Sequence, residues 1–424
     1  PGYSRAVPAL SEYFGPASPL KDVLPGFQPR AGQSWMAEAV EDAIAESRQL
    51  VVEAGTGTGK TFAYLLPALL SGRKTIISTG TKALQDQLYH RDLPLIGKVV
   101  GRPVKTALLK GRANYLCLHR LDAADAATVS AATADDLDAV RRWRHGTNTG
   151  DRAELTEVAE DSAVWPLVTS TADNCLGAEC PVYQDCHVVR ARRAAQEAEL
   201  VVVNHHLLLA DLAMKESGFV EFLPGADAII LDEAHQIPDL AAQFFGISVG
   251  TREVERLLEE LELATLPMRD AALQKMLGTS RTALRVLRAE APREEGRHEL
   301  SAVIDRLRTP LTSLSAALKE LLGGIGALTD SSADIEKLHE QLFSIIERLG
   351  HLASDDSWDG LRWLDVNPRS IRLNLTPLDV ADTLSGLFNG GHQAWIFTSA
   401  TLAIGEDFSH FTERTGLNLS LIHI

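Results

Sequence analysis

Apolar residues in this chain come in two kinds of run, and the change from one to the other divides it. Short unbroken blocks bounded by polar residues or glycine recur at residues 50–52 (LVV), 74–78 (KTIIS), 199–204 (ELVVVN), 228–231 (AIIL) and 394–397 (AWIF). Blocks of this length predict strands buried in a parallel sheet. Ahead of the first block, residues 24–43 put Phe27, Arg30 and Gln33 just before a helical pattern, and between later blocks lie the run TFAYLLPALL after Lys60 and a segment carrying Leu84, Gln85, Gln87 and Leu88. This order predicts an α/β domain. From about residue 250 to 364 the pattern changes. Leu300, Val303, Ile304, Leu307, Leu311, Leu314, Leu318 and Leu321 recur at steps of three and four, as do Ile335, Leu338, Leu342, Ile345, Ile346 and Leu349. Such stripes are the core faces of helices, so an all-helical insertion without catalytic groups is expected. Residues 372–376 and Val380 then return to a strand-like pattern.

The first block opens onto the strongest chemistry. EAGTGTGKT, residues 53–61, stands between a strand and a helix, the order that a phosphate-binding loop requires. Gly55, Gly57 and Gly59 let successive N–H groups turn toward one anion, with Ala54, Thr56 and Thr58 completing the loop. Ala54 occupies the place where the consensus has glycine. Lys60 is placed to reach the β- and γ-phosphates of ATP, and the Thr61 hydroxyl to hold Mg²⁺. About one helix earlier, Gln33 offers an amide that pairs with a donor and an acceptor on an adenine edge, and Arg30 or Phe27 a surface to stack on the base. After the block at 228–231 comes Asp232-Glu233-Ala234-His235. There Asp232 can bind the Mg²⁺, Glu233 can orient and deprotonate the attacking water, and His235 can relay nucleotide state. Thr79-Gly80-Thr81 offers short polar groups to the phosphates of a single strand, or simply a helix cap at Thr81. His205 and His206 point to opposite faces of a strand end, which favours a structural role over a shared metal.

All four cysteines, Cys117, Cys175, Cys180 and Cys186, fall in one segment, separated by 57, 4 and 5 residues. Disulfides are rare in cytosolic proteins. The uneven spacing fits an iron–sulfur cluster better than the paired short hooks of structural zinc, with zinc or buried thiols as the alternatives. A net charge of -16 over 424 residues argues against a uniformly basic surface for nucleic acid. Local basic groups remain: Lys105, Lys110, Arg112 and Arg120; Arg141, Arg142 and Arg144; and Arg190, Arg192 and Arg193. Tyr115 and Trp143 among them are candidate platforms for stacked bases. No apolar run approaches the ~20 residues needed to cross a bilayer, and a cytoplasmic protein without a membrane partner is expected. The tail LSLIHI, residues 419–424, is expected to be an artefact translated from a sequencing adapter, with authentic sequence ending near Asn418.

These motifs resemble the XPD/DinG-like iron–sulfur group of superfamily 2 DNA helicases, and within it the bacterial YoaA type. The resemblance rests on EAGTGTGKT at 53–61, STGTKALQDQL at 78–88, LLKGRANYLC at 108–117, WPLVTSTADNCLG at 165–177, VVVNHHLLLAD at 201–211, DEAHQIPD at 232–239 and WIFTSATL at 395–402. It implies a RecA-like P-loop motor domain at residues 1–105, 200–249 and 369–418, interrupted by a cluster domain at 106–199 and a helical arch at 250–368. It implies Gln33 as the adenine reader, Lys60, Thr61, Asp232 and Glu233 as the ATPase site, and Cys117, Cys175, Cys180 and Cys186 as ligands of a [4Fe-4S] cluster. The implied activity is ATP-driven 5′ to 3′ movement on single-stranded DNA and unwinding of forked duplexes by a monomer, in DNA repair or at replication forks. A polymerase clamp-loader subunit is the partner that the YoaA type brings with it. Members continue into a second RecA-like domain with an arginine finger, so the 424 residues alone are expected to bind ATP weakly and to hydrolyse it negligibly. The alternative is a cluster-containing DNA-binding ATPase that acts as a redox-sensitive remodeller or nuclease partner.

Overall fold

A computed structural model of the chain describes every residue except 1–9, 25, 56, 126–129, 172–173, 217–222, 327, 329–332, 354–359, 369, 404, 406, 418–419 and 424. In chain order the strands are β1 (Gln49–Glu53), β2 (Thr75–Thr79), β3 (Thr106–Leu108), β4 (Leu200–Asn204), β5 (Ala228–Asp232), β6 (Ile247–Gly250), β7 (Gly296–Glu299), β8 (Gly360–Asn367), β9 (Ser370–Pro377), β10 (Ala394–Ser399) and β11 (Ser420–His423). They belong to two compact units, Pro1–Leu240 with Ala381–Ile424, and Ala241–Val380.

The first unit is built on a parallel sheet in the order β11-β1-β10-β5-β2-β4-β3. Val51, Val52, Ile77, Val201, Val202, Val203, Ile230, Ile396 and Phe397 have no exposed surface. That is why consecutive apolar residues make these strands: a parallel strand is covered on both faces. Helices Ala31–Glu46 and Lys60–Leu70 bury Met36, Val40, Ile44, Tyr64, Leu65 and Leu66 in the same core. The register sets Glu53 opposite Ser399, Thr398 opposite Asp232, Leu231 opposite Ser78, and Thr79 opposite Asn204. Five strands therefore end level, and the loops that leave them share one edge. β3 had no signal of its own, because only Ala107 of its three residues is buried. It extends the sheet into residues 106–108, and a separate small core follows around Leu116, Leu137, Val140, Val164, Trp165 and Val168. At the other edge β11 pairs with β1; an open edge pairs with any β-prone segment within reach. Leu419 and Ile424 of that tail lie outside the described residues.

The second unit corrects the all-helical expectation. Helices Thr251–Thr265, Ala271–Glu290, Leu300–Gly326 and Ala333–Ala353 do bury the two leucine-rich stripes, with Leu307, Leu318, Leu321 and Leu342 fully enclosed. They pack with an antiparallel sheet in the order β6-β9-β8-β7. Two features hid that sheet. β7 reads Gly-Arg-His-Glu and is held by backbone pairing to β8, with no apolar alternation to announce it. β8 buries Leu364 and Val366 but leaves Leu361 52 % exposed, so its apolar residues do not follow one face. The strand-like residues 372–376 also belong here, in β9, and not to the parallel sheet.

Candidate functional site

The phosphate loop leaves the end of β1. Ala54 is 1 % exposed and its N–H donates to Ser399 O at 3.0 Å, so a small side chain is required where glycine is usual. Gly57 and Gly59 have φ of 77° and 83°, and Gly59 caps the helix Lys60–Leu70. Thr58 Oγ1 donates to Gly55 O at 2.8 Å, tightening the turn, and Thr56 lies outside the described residues. Gln33, 5 % exposed, donates from Nε2 to Gly59 O at 3.1 Å, and Arg30 donates to Gly57 O. Both residues therefore sit against the loop, with one Gln33 amide hydrogen used on it. Phe27 is half-buried and packs against the sheet core.

Across the sheet edge stands the Asp-Glu pair. Lys60 Nζ lies 3.3 Å from Glu233 Oε1 and 3.9 Å from Asp232 Oδ1. Burial pushes the Asp232 carboxyl up from its ordinary value and the Lys60 ammonium pulls it back. Tyr64 donates to Asp232 Oδ2 at 3.0 Å, and burial followed by the Asp232 charge pushes its phenol well up. Thr61, one helical turn before Tyr64, works against those two effects. Glu233 has φ of 61°, left-handed for a side chain of its size, and its Oε2 accepts from Ser399 Oγ at 3.1 Å. His235 Nδ1 lies 2.8 Å from the same Ser399 hydroxyl. Glu53 Oε2 accepts from Leu402 N at 2.5 Å and Ala403 N at 2.6 Å, fastening the loop after β10 to the start of the phosphate loop. Tyr64, Ser399 and Glu53 were missed as site residues. Tyr64 stands one helical turn after Thr61, which was the available signal.

At the end of β2, Thr81 accepts from Leu84 N at 3.2 Å, the simple helix cap. Gly80 lies close under Gln236, since an added Cβ would come within 2.7 Å of that amide. His205 is fully buried and His206 is exposed, but the two open the helix His205–Glu216 instead of closing the strand, so the strand alternation expected of them does not apply. Burial lowers the His205 pKa to about 4.

The four cysteines line one cavity of about 350 Å³ together with Arg112, Arg192 and Arg193. None is disulfide-bonded. Cys117 and Cys186 cap the helices Leu118–Ala123 and His187–Glu197, and Cys180 follows a tight turn. Burial pushes the Cys117 thiol up, as do the other three cysteines nearby. Among the described residues, no three His, Cys, Asp or Glu side chains gather closely enough to ligate a single metal ion. The basic groups beside the cysteines are largely committed. Lys110 is 4 % exposed, its Nζ 2.8 Å from Asp86 and 2.7 Å from Asp151, and these bonds outweigh burial in holding its charge. Arg141 and Arg144 pair with Asp138 and Asp122. Tyr115, 3 % exposed, accepts from Lys110 N and is not a platform for bases.

A phosphate loop facing an Asp-Glu pair across the edge of a parallel sheet defines a P-loop nucleoside triphosphatase of the DEAD/DEAH kind. Comparison agrees: residues 35–149 match the family described as DEAD/DEAH box helicase. The chain is 43% identical over 424 residues to the ATP-dependent DNA helicase YoaA of Haemophilus influenzae and 44% identical over 420 residues to that of Escherichia coli K12. Each alignment covers 96% of this chain and 65% of the relative, so the chain spans about two thirds of the length of these proteins. A solved XPD helicase structure shares the fold at a TM-score of 0.51 and 16% identity, over 94% of this chain and 62% of that one. In sequence the chain is thus similar to the DEAD/DEAH box helicases of the DinG and YoaA kind, and in fold to XPD.

Two outcomes follow from the geometry. Gly59→Ala places a Cβ against the Gln33 amide at a φ that disfavours it, and is expected to weaken binding of a fluorescent ATP analogue roughly ten-fold or more with the far-UV spectrum unchanged. The second concerns pH. The unfolded chain takes a proton on His205 near the ordinary 6.5, whereas the folded chain refuses it until about 4. Stability is therefore complete above pH 6.5 and declines as pH falls through that window, by roughly 3 kcal/mol at its lower end. Urea midpoints measured at pH 7 and 4.5 should diverge less in His205→Gln than in the unsubstituted chain.

Proposed function

We propose that the chain forms the first motor domain, with a cluster domain and an inserted helical unit, of an ATP-dependent DNA helicase that moves 5′ to 3′ on single-stranded DNA. The observation that carries this reading is the meeting of Lys60, Asp232, Glu233 and Ser399 at one sheet edge. Lys60 would exchange its carboxylate partners for the β- and γ-phosphates, and Gln33 would select adenine by its amide. Thr61 and Asp232 would hold Mg²⁺, which offsets phosphate charge. Glu233 orients water for in-line attack on the γ-phosphate and takes its proton. Ser399 and His235, bonded to each other and to that carboxylate's position, link hydrolysis to the loop after β10. The arginine that completes such sites is expected on a second motor domain, so turnover by the 424 residues alone is expected to be negligible.

We read the four cysteines as the ligands of a [4Fe-4S] cluster. The thiols surround one cavity, and a cubane holds its thiolates further apart than one tetrahedral ion does, which suits a site without a close triplet. Bound there, the cluster would cross-link the small domain into a rigid rim for a DNA strand.

Full-length Glu233→Gln is expected to keep ATP and DNA binding while DNA-stimulated hydrolysis falls roughly 100-fold or more and unwinding is lost. Unchanged unwinding would refute the motor reading and favour the redox-sensitive remodeller. Anaerobic purification should yield about four irons and four sulfides per chain with absorption near 400 nm. One zinc without sulfide would refute the cluster.

A further inference from the structure

β4 ends at Asn204 and a helix begins at once, which turns His205 into the interior beneath the sheet edge. Its Nδ1 lies 2.7 Å from Ser78 Oγ, one residue before the end of β2. Its Nε2 is wholly buried and has no hydrogen bond of good geometry. The ring lies near the backbone of Asp232 and Glu233, whose hydrogen-bonding pull on it is outweighed by burial. We assign the tautomer in which Nδ1 accepts from the Ser78 hydroxyl, which puts the proton on Nε2. A buried donor left short of its acceptor is costly and calls for an explanation. The turn that it faces is also the strained one, because Glu233 is held at φ of 61°.

We propose that His205 is a positioning residue for hydrolysis: its Nε2–H closes onto a carbonyl of the Asp232–Glu233 turn when nucleotide draws that turn in, while Nδ1 keeps the turn tied to Ser78. This rests on the reading of Glu233 as the group that orients water. Ser78 leads directly into Thr79-Gly80-Thr81, the segment facing the single strand in that reading. Gln236, three residues beyond Glu233, packs on Gly80 and joins the same two segments a second time. A shift of the β2 end on DNA thus reaches Glu233 through His205, without any contact between His205 and the nucleotide.

The test uses full-length protein and the geometry of two amides. The glutamine side-chain nitrogen can stand where Nε2 stands, whereas that of asparagine reaches only the place of Nδ1. His205→Asn is expected to lower DNA-stimulated kcat roughly 10- to 100-fold, with KM for ATP held within about two-fold. His205→Gln should retain most of kcat, and the exposed neighbour variant His206→Asn should match the unsubstituted protein. Melting temperatures of the two His205 variants should be similar. Full activity in His205→Asn, or equal losses of kcat in both variants that follow their melting temperatures, would overturn the proposal. If unsubstituted full-length protein shows no DNA-stimulated hydrolysis, the functional reading itself fails, and this proposal with it.

Discussion

Everything at the candidate site depends on the level ending of parallel strands. Lys60 and Glu233 are 173 positions apart, and Glu233 and Ser399 another 166, yet their side chains are within bonding distance because β1, β10 and β5 run the same way in register. Hydrogen bonds between backbones set this alignment, and the buried valines, isoleucines and Phe397 keep water from competing for them. The loops contribute chemistry and the sheet contributes position. A slip of one residue in any of these strands would turn its buried side chains to the other face and carry its loop away from the shared edge.

The same edge concentrates charge in a place poor in water. Asp232 and Glu233 carry two negative charges against one Lys60, with Tyr64 and Ser399 supplying hydroxyl donors. Such a cluster is short of positive charge by itself, which is the condition for attracting a divalent cation. Around the cysteines the arrangement is reversed. Arg192 is made less comfortable by burial and by Arg112, and is favoured by Cys175 and Cys186. Ionised sulfur would complete that environment.

Much of this was readable without coordinates, and the failures share a cause. Each of the five buried blocks became a strand of the parallel sheet, since burial on two faces leaves an unmistakable apolar run. The phosphate loop and the Asp-Glu pair were readable because each is local, a few residues after a strand. What local pattern does not carry is partnership across the chain. Nothing in Gly296–Glu299 announces a strand, because its partner β8 supplies the reason for it. Lys110 looked like part of a basic groove until Asp86 and Asp151 closed on it from two sides. Tyr115 failed as a stacking surface in the same way. Ser399 was plainly visible in its motif, but its bond to Glu233 exists only once β10 lies beside β5.

That last placement governs how the protein comes into being. β10 fills the slot between β1 and β5, yet it is made only after the whole of Ala241–Val380 has followed β5 out of the ribosome. At about 5–20 residues per second the 161 residues between Asp232 and Ala394 take roughly ten to thirty seconds to synthesise. For that interval two apolar strand edges stand open to each other and to other chains. The helical unit, whose contacts are nearer in sequence, can fold in the meantime and hold the incoming strand's place in time if not in space. Ser399 thus reaches Glu233 only when β10 arrives, and a nascent chain stalled before residue 394 has the Asp-Glu pair without the hydroxyl that holds its second carboxylate.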